Sequence, residues 1–164
     1  MGTFFSCDII IMIFMLKIII LWGCGIMKDD IIINKIETIK KCIKRVNEEY
    51  ENDSLNLKNC TKQDSIILNI QRLCEAGIDL ATHVIRINKY GFFQSSKETF
   101  QILEKNNIIS KELSKNLQGM VGFRNIAVHD YQAISLDILQ KIIENHLKDA
   151  LELAREILKY EINK

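Results

Sequence analysis

No proline occurs anywhere in the 164 residues. Helices can therefore run without the breaks that a fixed φ and a missing N–H impose, and turn-rich β architecture is disfavoured. An excess of either charge is also missing: 22 Lys and Arg stand against 21 Asp and Glu, a net charge of +1. A duplex-DNA binder carries a basic surplus or stripe, so any contact with nucleic acid must come from a local cluster or an assembled groove. The five cysteines, Cys7, Cys24, Cys42, Cys60 and Cys74, form no CxxC pair and no Cys/His metal spacing, and their number is odd. Free thiols in a reducing cytosol are the expected state, with Cys42 and Cys74 as small core residues in helical patterns. No Gly-rich phosphate loop, zinc motif or internal repeat appears.

What is present suits one domain. The length allows a real core, and 48% hydrophobic with 26% charged residues is ordinary for a globular chain. Residues 1–27 depart from this pattern. The segment Ile9 to Met27 is apolar except for Lys17. It is long enough to span a bilayer, although a central Lys costs about 2.5–3.5 kcal/mol on insertion scales. Asp8 and Lys28-Asp29-Asp30 give no positive-inside bias, and residues 1–8 lack a basic n-region. The reading adopted is a hydrophobic extension ahead of a start at Met27, with a membrane segment as its rival and a signal peptide third. The domain proper is residues 28–164, a cytoplasmic protein with membrane association unlikely unless residues 9–27 are translated.

Apolar spacing at three- and four-residue steps predicts helices throughout this domain. The first covers about Asp29 to Glu51 on Ile32, Ile36, Ile39, Ile43 and Val46, and Asn52-Asp53-Ser54 breaks it. The second covers about Lys62 to Asn88, with Ile66, Leu68, Ile70, Leu73, Ile78, Leu80, Val84 and Ile87 as a broad stripe. Asp79 and His83 share one face of it, with Glu75 one turn earlier. They read either as a surface ion pair or as auxiliary polar groups facing the motif described below. Tyr90-Gly91-Phe92-Phe93 and Ser95-Ser96 form a loop, and a Ser N-cap leads into a short helix from about Lys97 to Asn106, with Phe100 and Leu103 inward. A fourth helix starts near Ser110 and carries Leu113, Leu117, Met120, Val121 and Phe123. The last runs from Ser135 to about Glu161. The expected fold is all-α: a bundle of four main helices plus a short one.

The chemistry is concentrated in Arg124-Asn125-Ile126-Ala127-Val128-His129-Asp130-Tyr131. A guanidinium binds phosphate oxygens in a planar fork, and an imidazole moves protons near neutral pH. Arg124 and His129 are separated by about 500° of an ideal helix, or some 140°. The helix is therefore expected to end or loosen inside the motif, or a second subunit completes the pocket. Asn125 is an auxiliary candidate that orients backbone or substrate, or simply caps backbone groups.

With this helical layout, the motif resembles that of the HepT-like toxin family of the HEPN superfamily: Arg, a polar residue, a short spacer, His, one residue, Tyr. Met120-Val121-Gly122-Phe123, the helix around Asp79 and His83, and Lys97-Glu98-Thr99-Phe100 leading to Leu103 are also similar. The resemblance covers roughly Met27 to Lys159. It implies a HEPN-like bundle and the toxin of a type VII-like toxin–antitoxin system, a metal-independent endoribonuclease with Arg124 and His129 catalytic. It further implies a homodimer whose two motifs line one cleft. Neutralisation would come from AMPylation of Tyr131 by an MntA-like minimal nucleotidyltransferase, which uses ATP and Mg²⁺ while the toxin itself needs no cofactor. The competing reading is a non-catalytic helical module that binds nucleotide or presents a substrate to a nucleotidyltransferase.

Overall fold

The computed structural model describes residues 29–129 and 134–164. The N-terminal extension, and with it the choice among its readings, lies outside the described residues, as does Tyr131. Helix α1 (Asp30–Tyr50) is followed by a 3₁₀ turn (Ser54–Lys58), α2 (Cys60–Ile87), the short α3 (Ser96–Lys105) and α4 (Lys111–His129). The chain ends in α5 (Leu136–Lys141), a π-helical turn (Ile142–His146) and α6 (Leu147–Ile162), which run on without a break. The expected bundle of four main helices and a short one is present, with the last helix divided by the π turn.

Helix α2 is the central element and touches α1, α3, α4 and α6. Its burial explains this position, because Ile66, Ile67, Ile70, Leu73, Ala76, Leu80, Ala81, Val84 and Ile85 cover more than one stripe. Leu68 and Ile87, expected in the stripe, instead remain 44% and 40% exposed. Phe100 of α3 is buried where α2, α3, α4 and α6 meet, beside Leu73, Gly77, Leu117 and Ala150. Local chemistry sets the helix starts. Asn59 caps α2 through Lys62 N, the Ser95 hydroxyl accepts from Glu98 N at 3.3 Å, and the Ser110 hydroxyl accepts from Leu113 N at 3.1 Å.

The π turn is held from two sides. The Tyr50 hydroxyl, at the end of α1, donates to Glu144 Oε1 at 2.7 Å. That bond holds the Glu144 carboxyl below its usual range, while burial and the same carboxylate push the Tyr50 phenol up to about 12. His146 Nδ1 meets Oδ2 of the buried Asp149 at 2.9 Å, which gives an otherwise costly interior carboxylate its partner. Tyr90 and Tyr160 join hydroxyls to tie the loop after α2 to α6.

The start of α1 is fastened to α2. Asp29 accepts from Ile31 N at 3.0 Å and from Ile32 N at 3.3 Å, and its second oxygen lies 2.5 Å from His83 Nε2. One turn earlier on α2, Asp79 accepts from Lys35 Nζ at 2.5 Å. Asp79 and His83 are therefore paired not with each other but with Lys35 and Asp29. Each is occupied by the α1 side of the bundle. Burial raises the Asp29 carboxyl, but the His83 ring and the two N–H groups outweigh it and hold it below the ordinary 3.8. A carboxyl that binds its proton less tightly when folded stabilises the fold fully above that ordinary value and loses the contribution as pH falls through the lowered one. Asp29→Ala should cost about 1 kcal/mol in urea unfolding at neutral pH, the usual worth of an N-cap. The gap to wild type should close well below pH 3.8, and a gap independent of pH would rule out the cap and His83 bonds as its source.

Candidate active site at the end of helix α4

The core stripe of α4 runs Leu113, Leu117, Met120, Ala127, all buried. Arg124 falls in the same register, four residues after Met120 and three before Ala127. Its stem therefore enters the seam between α4 and α2, and the side chain is only 29% exposed. At the seam it meets Glu75 of α2. Arg124 Nε and Nη2 both donate to Glu75 Oε2 at 2.9 Å, and Nη1 donates to Asn125 Oδ1 at 3.2 Å. Among the described residues, three of the five guanidinium N–H groups have partners, and the other two have none.

The seam is pinned one residue and one turn away. The Cys74 thiol, preceding Glu75, donates to the carbonyl of Met120 at 3.5 Å. Burial pushes this thiol up to about 12, with Glu75 adding to the effect and Arg124 opposing it, so it stays protonated and keeps donating. The backbone of Glu75 is consequently fixed against the turn of α4 that precedes Arg124.

The helix does not end or loosen between Arg124 and His129. It is α-helical from Lys111 through His129, so the two side chains leave it about 140° apart. His129 is exposed on the outer side, near the register of Gly122 and Ile126, and Asn125 is exposed as well. Ile126 and Val128 are 47% and 45% exposed. Within one chain Arg124 thus faces α2 while His129 faces outward. The sequence noted Glu75 only as the residue one turn before Asp79. Nothing in the spacing marks it as the partner of Arg124, because that pairing depends on how α2 and α4 lie against each other.

A separate polar cavity of about 330 Å³ lies between the start of α4 and the π turn, lined by Ser110, Asn116, Asn145, His146, Asp149 and Glu152. Its nearest α4 residue, Asn116, is about 12 Å along the helix from Arg124, and it contains none of the motif residues. Among the described residues, no group of three or more His, Cys, Asp or Glu is placed to hold a metal ion. Also among them, no helix is long and apolar enough to cross a membrane.

Residues 32–157 match the family described as Ribonuclease HepT-like. The chain belongs to the HepT-like ribonuclease family. The mRNA nuclease HepT of Shewanella oneidensis is 53% identical over 121 residues, which are 74% of this chain and 91% of that protein. A tRNA nuclease HepT from Aphanizomenon flos-aquae is 29% identical over 106 residues, covering 63% and 71% of the two chains. Among solved structures, a toxin–antitoxin with AMP-PNP superposes with a TM-score of 0.77 at 49% identity, over 80% of this chain and 99% of that one. The tri-AMPylated HEPN toxin of Shewanella oneidensis in complex with its MNT antitoxin gives 0.76 at 50% identity, over 80% and 98%. The helical arrangement of this HepT-like chain is therefore that of HEPN toxins, as the motif implied.

Proposed function

We propose that the chain is the toxin of a type VII-like toxin–antitoxin pair and an endoribonuclease in which Arg124 and His129 carry the cleavage. The observation behind this reading is the last two described turns of α4, where a guanidinium braced by Glu75 and Asn125 precedes an exposed imidazole. The 53% identity to an mRNA nuclease supports RNA as the substrate class.

In the reaction, His129 accepts the proton of a ribose 2′-hydroxyl as that oxygen attacks the adjacent phosphorus. The bond from phosphorus to the 5′ oxygen breaks, that oxygen takes up a proton, and a 2′,3′-cyclic phosphate remains. Arg124 donates to the phosphoryl oxygens as their charge grows. Asn125, by accepting from Nη1, limits the rotation of the guanidinium. Charge stabilisation and proton transfer come from side chains alone, so the toxin itself calls for no cofactor. The outward direction of His129 relative to Arg124 is answered by a homodimer in which a second copy brings its motif to the same cleft. With RNA as its substrate, the toxin would act in the cytoplasm.

Control would come from an MntA-like minimal nucleotidyltransferase that moves AMP from ATP, with Mg²⁺, onto the Tyr131 hydroxyl. AMP two residues from His129 would place phosphate charge and bulk where RNA must enter. The tri-AMPylated state of the Shewanella toxin supports this form of control. Incubating the toxin with that enzyme and ATP should add AMP to wild type and not to Tyr131→Phe, as read by intact mass. Cleavage of labelled RNA should fall in step with the modification. A Tyr131→Phe chain that is still modified would place the target elsewhere, and RNA left uncut by the unmodified toxin would favour the non-catalytic module.

A further inference from the structure

We infer that Glu75 is the positioning residue of the RNA-cleaving site, fixing which edge of the Arg124 guanidinium is offered to the phosphate. The inference rests on the cleavage reading above and adds a residue from another helix to it.

An arginine on a helix surface is mobile when nothing holds it. Its four side-chain torsions leave the fork free to sweep, and ordering it costs rotamer entropy. Here that freedom is removed before any substrate arrives. Both Nε and Nη2 converge on one oxygen, Glu75 Oε2, at 2.9 Å. This engages the flank of the guanidinium and, among the described residues, leaves its distal end without a partner. Asn125 takes one donor of Nη1 at 3.2 Å from the other side, so the plane is braced at two points. The backbone that carries the carboxylate is tied to α4, because Cys74, the residue before it, is bonded to the Met120 carbonyl across the seam. A phosphate then meets a fork whose direction is already set, the condition under which a small displacement of a charge-stabilising group costs most in rate.

A simple structural ion pair predicts something different. Glu75 is 49% exposed and Arg124 29% exposed, and pairs that open to water contribute little to stability. The value of the contact should therefore appear in turnover and not in folding.

The test uses the full chain and compares Glu75→Ala, Glu75→Gln and Arg124→Ala with wild type on one labelled RNA. Glu75→Ala should lower kcat about 10–100-fold with KM moving less than about threefold, the pattern of an interaction that matters in the transition state. Glu75→Gln keeps an accepting oxygen at the same reach and should recover much of the loss. The geometric part has a readout without turnover. In proton–nitrogen correlation spectra the Arg124 Nε–H signal, assigned by its loss in Arg124→Ala, should be protected in wild type and Glu75→Gln and averaged out in Glu75→Ala.

Glu75→Ala with an unchanged kcat, or with a raised one as for a carboxylate that merely competes with RNA, would overturn the inference while leaving the cleavage reading intact. An Nε–H signal indifferent to Glu75 would overturn it as well. Wild type and Arg124→Ala cutting equally well, or neither cutting, would instead sink the cleavage reading, and the spectra would still decide whether Glu75 holds Arg124.

Discussion

His129→Ala should cut the rate of RNA cleavage by about 10²–10⁴-fold, the range for removing a positioned proton-transfer group. The chain should nevertheless fold as before. His129 is exposed on α4 and is not among the core residues, and surface substitutions of that kind usually stay within about 0.5 kcal/mol. Single-turnover cleavage of labelled RNA gives the rate, and circular dichroism with thermal unfolding gives the control. Arg124→Ala should be comparably damaging, since losing one charge-stabilising donor costs about 10²–10³-fold. The double variant should be little worse than the poorer single one, because groups that act in one step do not add. Near-normal cleavage by His129→Ala would remove the imidazole from the mechanism.

The second large effect concerns the frame that aims these groups. Phe100→Ala should destabilise the protein by about 3–5 kcal/mol, the cost of deleting a buried phenyl ring. Phe100 is 2% exposed at the junction of α2, α3, α4 and α6, next to Leu117 of the helix that bears the motif. At roughly 4 °C per kcal/mol for a domain of this size, the melting temperature should fall by about 12–20 °C. Total stability is commonly about 5–15 kcal/mol, so a large part of it would be lost. Equilibrium urea unfolding measures the loss directly. A cost below about 1 kcal/mol would mean that the junction does not hold α4 against α2.

Much of this frame was legible in the sequence because helical burial repeats with a fixed period. Ile32, Ile36, Ile39 and Val46 stand on one face of α1 and are all buried, and Phe100 and Leu103 turn inward on α3 as their spacing implies. The reading weakened where apolar residues are contiguous. In Ile66-Ile67-Leu68 every direction is apolar, and only packing decided that Leu68 would face out. The π turn left no mark, since one extra residue in a helical turn changes no residue type. Asp149 reads as a surface acid until His146 is seen to partner it.

The site divided along the same line. Arg124, Asn125 and His129 were recognisable as residue types at a fixed spacing, and the angle between Arg124 and His129 followed from helix geometry alone. The assignment of Asp79 and His83 could not follow, because their partners Lys35 and Asp29 come from α1. Glu75 escaped for the same reason, since its contact with Arg124 exists only once α2 and α4 are docked.

The central claim is that Arg124 and His129 direct a 2′-hydroxyl onto its own phosphodiester. The most direct measurement is cleavage of a defined RNA in excess EDTA, beside the same strand carrying a 2′-deoxy sugar at the cut position. The account predicts unimpaired cutting of the all-ribose strand with a 2′,3′-cyclic phosphate at the new end, and no cutting at the deoxy position. Cleavage that EDTA abolishes, or a deoxy position that is still cut, would contradict it.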